Sequence, residues 1–202
     1  MSVKIYIEGG GDTDSLRSEL RKGFQSLFEK AGFKGRLPKV IACGSRNDAF
    51  GVFEMALKNK KDNEIVLLLV DSECAINASP PNTKWNHVLT RDGWAKPSAA
   101  SEDNIYFMVE CMESWFLADA SALTTFYGSG FNATALPRTI PLESTAKLAI
   151  YSGLETATRS TQKGIYGKGK HSFKILEKLD ANKVKTHGSY AKEFFDYLAT
   201  NL

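Results

Sequence analysis

The chain is poor in cysteine: Cys43, Cys74 and Cys111 lie far apart and form no Cys-x-x-Cys. That excludes a disulfide framework and a zinc knuckle. Each thiol adjoins an apolar run, which predicts buried free thiols in a reducing compartment. Long hydrophobic runs are missing as well, and none approaches the ~20 residues of a membrane-spanning helix. The N-terminus, MSVKIYIEGGG, offers only a short strand-like stretch before a carboxylate, which is not a secretory leader. The chain therefore reads as soluble and cytoplasmic, with no membrane partner, and the sequons at Asn77 and Asn132 read as chance matches. Internal repeats are absent. His87 and His187 have no partner at metal-ligand spacing, which predicts structural or exposed roles.

A strong charge of one sign is also lacking. Lys and Arg number 26 against 23 Asp and Glu, and charged residues make up 24% of the chain beside 43% hydrophobic ones. This is an ordinary globular mix, which excludes a disordered tail or a collagen-like fibre. A domain of this length buries roughly 70% of its unfolded surface and needs no staples. The small total hides a division: residues 1–158 hold 17 basic and 19 acidic side chains, residues 159–202 hold 9 and 4. An acidic body with a basic C-terminal segment suits a site that handles metal and phosphate, and equally suits a solvated lysine-rich helical end.

The first half alternates strand and helix signals. Val3–Ile7 is a β-rich run ending at Glu8 and three glycines. Asp12, Thr13 and Asp14 offer helix caps before Leu16, Leu20, Phe24, Leu27 and Phe28, which recur at helical spacing. Val40–Cys43 is a second strand candidate. Ser45 or Asn47 can cap a following helix that carries Phe50, Phe53 and Leu57. Ile65–Val70 is unbroken and apolar up to Asp71, the pattern of a central parallel strand buried on both faces. A short helix is expected near Lys84–Arg91, a fourth strand at Ile105–Val109, and a helix at Ser114–Ala120. Further helices are expected at Leu142–Leu154, Phe173–Leu179 and Tyr190–Leu198. The predicted class is α/β, a mostly parallel sheet flanked by helices. Residues 1–120 form its core, and residues 121–202 a helical, basic extension packed on the same domain.

Two strand ends carry the chemistry. Glu8 closes the first, and Asp71-Ser72-Glu73 closes the apolar one. In a parallel sheet the C-terminal ends share one edge, where α/β proteins place their sites. An acid-x-acid pair on an extended segment puts both carboxylates on one face, and several such groups suit Mg²⁺ or Mn²⁺. The bland readings remain open: Glu8 as a loop carboxylate, Asp71 as a turn cap. Gly9 and Gly10 either form a plain turn or let the backbone approach a phosphate at the helix N-terminus. No Gly-Lys-Ser/Thr follows, so this is not a P-loop. Lys163, Lys168, Lys170, His171 and Lys174, spaced by glycines and joined by Tyr166 for stacking, form a candidate phosphate contact. They read equally as a solvated loop.

A strand ending in Glu-Gly, followed by helix, strand, helix and a hydrophobic strand ending in an acid-x-acid pair, resembles the Toprim pattern of topoisomerases, primases and OLD-type nucleases. More narrowly, IEGGGDTDSLR, VLLLVDSE, TKWNHVLTRDGWAKP, FMVECMESWFLAD and YGKGKHSFKILEKLDANKVK are similar to the DUF4276 (RloB-like) family. Its members are often associated with ATPases in bacterial defence. The resemblance spans nearly the whole chain.

It implies a Toprim-like, Rossmann-like fold and a metal-dependent nuclease acting on DNA or RNA, the effector of a defence pair with an AAA- or ABC-type ATPase. Glu8 takes the acid/base or metal-ligand position, and Asp71 and Glu73 the metal pair. Many Toprim domains have Asp at the position of Glu73. Glu113, just past the fourth strand, joins the site as a further metal ligand or is solvated on a helix, while Trp115 and Phe116 beside it belong to the core. Two rival readings stand beside the nuclease: a non-catalytic subunit that clamps nucleic acid or an ATPase, and a metal-dependent phosphohydrolase or nucleotidyl transferase on small nucleotides.

Overall fold

The computed structural model describes residues 2–76, 83–138 and 141–202; Asn77 lies outside the described residues. Four strands, β1 (Ser2–Ile7), β2 (Lys39–Ala42), β3 (Glu64–Asp71) and β4 (Ile105–Met108), pair in the order β2-β1-β3-β4. All three pairings are parallel, with Ile7 opposite Leu69 and Asp71 opposite Met108. The α/β class expected from the strand-helix alternation is therefore observed.

The unbroken run of β3 is explained by its two faces. Leu67 and Leu69 join one buried cluster, and Val66, Leu68 and Val70 the other, following the two-residue period of a strand. The first cluster lies under α1 (Asp14–Phe28) and the C-terminal helices, with Leu20, Phe24 and Phe28 buried in it and Phe28 packed against Phe194 and Phe195. The second lies under α2 (Arg46–Lys58) and α3 (Lys84–Asp92), where Phe53, Trp85 and Val88 fill the space. Thr13 caps α1 and Ser45 caps α2, each accepting a backbone N–H three residues on.

Beyond β4 the chain is helical: α4 (Ser114–Leu117), α5 (Ala120–Tyr127), α6 (Lys147–Thr158), α7 (Lys168–Leu176), α8 (Ala181–Thr186) and α9 (Ser189–Asn201). The helix expected over Ser114–Ala120 is broken into α4 and α5. Asp119 restarts it by accepting the N–H of Ala122. The helix expected from Leu142 begins instead at Lys147, whose N–H is taken by Glu110 Oε2 at 2.7 Å. The one expected from Phe173 begins five residues earlier, because the His171 ring caps the Gly167 N–H. Residues from β1 through α9 share the first apolar cluster, so the C-terminal helices complete the core that the sheet starts.

The thiol expectation is corrected in part. Cys111 is buried and Cys43 partly so, but Cys74 is exposed, because it follows the strand end and its apolar run has already stopped.

Candidate active site

Because β1 and β3 are neighbours, their C-terminal ends bring Glu8 and Asp71 side by side. Glu73 reaches the same place by another route than an extended strand. β3 stops at Asp71, and Glu73 adopts φ +69°, a left-handed conformation uncommon for a residue with a Cβ. Its N–H donates to the Glu110 carbonyl at 2.7 Å, which fixes the turn. Glu8, Asp71 and Glu73 each present an oxygen, and these atoms all lie within 4.8 Å of one another.

Each carboxylate is also met by a cation from elsewhere in the chain. Arg46, at the start of α2, donates to Glu8 Oε2 at 3.0 Å and to the Asp71 carbonyl at 2.5 Å. Its remaining nitrogens grip both oxygens of Asp92, and its guanidinium lies 4.8 Å over the Trp94 ring. Trp94 in turn stacks on Phe50 at 4.4 Å. The segment TKWNHVLTRDGWAKP thus supplies the seat of this arginine. Lys147, at the start of α6, donates to Glu73 Oε2 at 2.6 Å, with Arg91 Nη2 3.7 Å from the same oxygen. Lys168, at the start of α7, donates to Asp71 Oδ2 at 3.2 Å.

Asp71 is the most buried member of the trio, 3% exposed, and its Oδ1 accepts the Met112 N–H at 2.8 Å. Burial pushes its carboxyl up to about 7; Lys168 opposes the shift, and Glu8 and Glu113 add to it. Glu73 is more open. Burial pushes it up, but the Lys147 hydrogen bond and the charges of Lys147, Arg91 and Arg46 outweigh this and hold it below its ordinary value.

The remaining sequence-predicted residues separate into those brought to the site and those not. Glu113 is brought in. It precedes α4 as a fully buried side chain, with Oε1 accepting from the Tyr166 hydroxyl at 2.7 Å. Its Oε2 has no hydrogen-bond partner among the described residues and lies 3.9 Å from Lys168 Nζ. Trp115 and Phe116 are core, as expected.

Gly9 and Gly10 adopt φ +121° and +86°, which only glycine takes readily, and Gly9 forms an antiparallel bridge with Gly44. The Gly9 N–H is spent on the Gly44 carbonyl at 2.8 Å. Of the basic segment, only Lys168 reaches the acids. Lys163 lies over the Phe126 ring, and Lys170 donates to the Lys163 carbonyl, both on the surface. His171 is 3% exposed and Tyr166 5%, so neither ring is open to a base or a phosphate. They were expected outside because the segment is polar, but aromatic contacts with Phe116, Phe126 and Tyr127 draw both inward. His87 is structural, its Nε2 2.9 Å from the Ser72 carbonyl beneath the acid pair, and His187 is exposed.

Arg46, Arg91 and Lys147 were not singled out from the sequence. Each is one cation on a helix far from the acids in sequence, and spacing gives no sign of the pairing.

With this geometry in view, the comparison with protein families is direct. The family described as "Domain of unknown function (DUF4276)" matches residues 7–199, nearly the whole chain. The chain belongs to that family. No curated protein and no solved structure matches it.

Proposed function

We propose that the chain is a metal-dependent phosphodiester hydrolase acting on nucleic acid, with Mg²⁺ or Mn²⁺ held by Glu8, Asp71 and Glu73. The observation that carries this reading is the approach of three carboxylate oxygens to within 4.8 Å at the C-terminal edge of a parallel sheet. The donor set fits the group: it is all hard oxygen, and beside it the buried Glu113 Oε2 accepts no hydrogen bond among the described residues. When bound, such an ion polarises a phosphoryl oxygen and stabilises charge on the leaving oxygen.

The chain's own residues divide the rest of the work. Arg46, immobilised by Asp92 and Trp94, orients Glu8, which accepts the proton of the attacking water. Lys147 and Arg91, about a quarter to a third exposed, stand outside Glu73 where a phosphodiester would approach. Met112 N–H and Lys168 keep Asp71 turned toward the cluster.

The test is incubation of the full chain with DNA and with tRNA, with Mg²⁺ or Mn²⁺, beside Asp71→Asn and Glu8→Gln. Cleavage should fall by about 10²-fold or more in each variant. Wild-type activity in both variants would overturn the proposal. An ATPase partner and a role as defence effector are the further part of this reading and rest on the family likeness. If the free chain is silent, co-expression with an ATPase encoded beside it should release cleavage, and silence in both settings rejects the nuclease. One observation favours a non-catalytic binding subunit instead: every acid of the trio already has a cation of the chain against it. Failure to bind Mn²⁺ would select that alternative.

A further inference from the structure

The Asp71 and Glu113 carboxylates face each other across one ammonium group. Lys168 Nζ is 3.2 Å from Asp71 Oδ2 and 3.9 Å from Glu113 Oε2, the oxygen without a hydrogen bond among the described residues. This is no loosely placed surface lysine, although its side chain is 46% exposed. Two residues before it, Tyr166 is bonded to the other oxygen of Glu113. Directly before it, the Gly167 N–H is capped by the buried His171 ring. The same short stretch therefore grips Glu113 from two sides and delivers the lysine between the acids. Asp71 bridges two positions: the Glu8–Asp71–Glu73 cluster on one side and the lysine on the other.

We infer that Lys168 is a built-in second cation, so that the centre takes a single divalent ion and the Asp71–Glu113 position is filled by the chain itself. Charge supports this arrangement. Glu8, Asp71, Glu73 and Glu113, with Asp92 sharing both arginines, are met by Arg46, Arg91, Lys147 and Lys168, so the group carries one net negative charge before any ion enters. One divalent ion then leaves it positive enough for an anionic phosphodiester. A second ion between these two buried carboxylates would sit against the Lys168 ammonium, where like charges repel. Lys168 supplies at that position the charge that a second ion supplies in two-metal sites.

This inference rests on the metal reading above, and the experiment separates the two. Mn²⁺ is titrated into the metal-stripped full chain and bound ion is counted by electron paramagnetic resonance and calorimetry. Wild type should bind one ion. Lys168→Ala, which leaves Asp71 Oδ2 and Glu113 Oε2 without their cation, should bind two, and Lys168→Arg, which restores a cation, should bind one. Adding Glu113→Gln to Lys168→Ala should return the count to one. Two ions in wild type, or one in Lys168→Ala, would overturn the inference and leave the metal reading standing. No ion in wild type would overturn both.

Discussion

Asp71 and Asp119 are both nearly devoid of exposed surface and both meet a lysine ammonium, at 3.2 and 2.7 Å, yet their carboxyl groups are pushed in opposite directions. Burial raises each. At Asp119 it is outweighed by Lys183, the Ser121 hydroxyl and the N–H groups of Asp180 and Ala122, all donating to one carboxylate, which ends below its ordinary value. At Asp71 one backbone N–H and one lysine donate, and Glu8 and Glu113 stand close by, so the carboxyl ends near 7. Deeper burial, fewer donors and two acidic neighbours separate Asp71 from Asp119; the presence of a lysine does not. Asp119 is a finished structural joint between α5 and the turn before α8. Asp71 has acceptor capacity to spare and negative neighbours, the condition in which a carboxylate gains from an added cation.

The sharpest way to break this comparison is to remove each acid from the metal-free protein. Asp119→Ala should cost about 3 kcal/mol by stranding several buried donors, a fall in melting temperature of roughly 6–12 °C. Asp71→Asn keeps an acceptor for the Met112 N–H and should not lower the melting temperature. Equal losses would end the distinction. Tyr166→Phe should cost about 1–3 kcal/mol in urea denaturation, since Glu113 loses its hydrogen bond while remaining buried. Adding Glu113→Gln should recover part of that loss.

The pH dependence should differ in sign. A folded carboxyl with a raised value holds its proton more tightly than the unfolded chain does. Asp71 therefore stabilises the metal-free fold fully below about pH 4, and this contribution is lost as pH rises through about 7. Asp119, held low, stabilises above about pH 4, and its contribution is lost as pH falls through its folded value. Urea midpoints across pH should show the first slope vanish in Asp71→Asn and the second in Asp119→Ala. The smallest effect should come from Lys192→Ala, which breaks the exposed i,i+4 pair with Asp196 and should shift stability by no more than about 0.5 kcal/mol.

Much of the frame is legible along the chain because it depends on near neighbours. The apolar run before Asp71, the glycines after Glu8 and the caps at Thr13 and Ser45 are local signals, and each lands where expected. Helix starts after residue 140 were less legible. Glu110 and His171 cap them from outside or from within the first turn, and neither looks like a cap in sequence. The inward turn of Tyr166 and His171 was illegible for a related reason: a polar, lysine-rich segment hides two rings whose partners lie on other elements.

By itself the sequence determined that this chain forms a parallel α/β sheet and that Glu8 and Asp71 stand at its C-terminal edge. A strand's two-residue period and the common edge of parallel strands leave little choice in either. Glu73 joins them only through the left-handed turn that the Glu110 carbonyl fixes. Only the tertiary structure decided which charges answer them. Arg46 lies 38 residues from Glu8, Lys147 74 from Glu73, and Lys168 97 from Asp71. Electrostatic attraction depends on distance through space and on the surrounding dielectric, and neither is written in the spacing of residues along a chain.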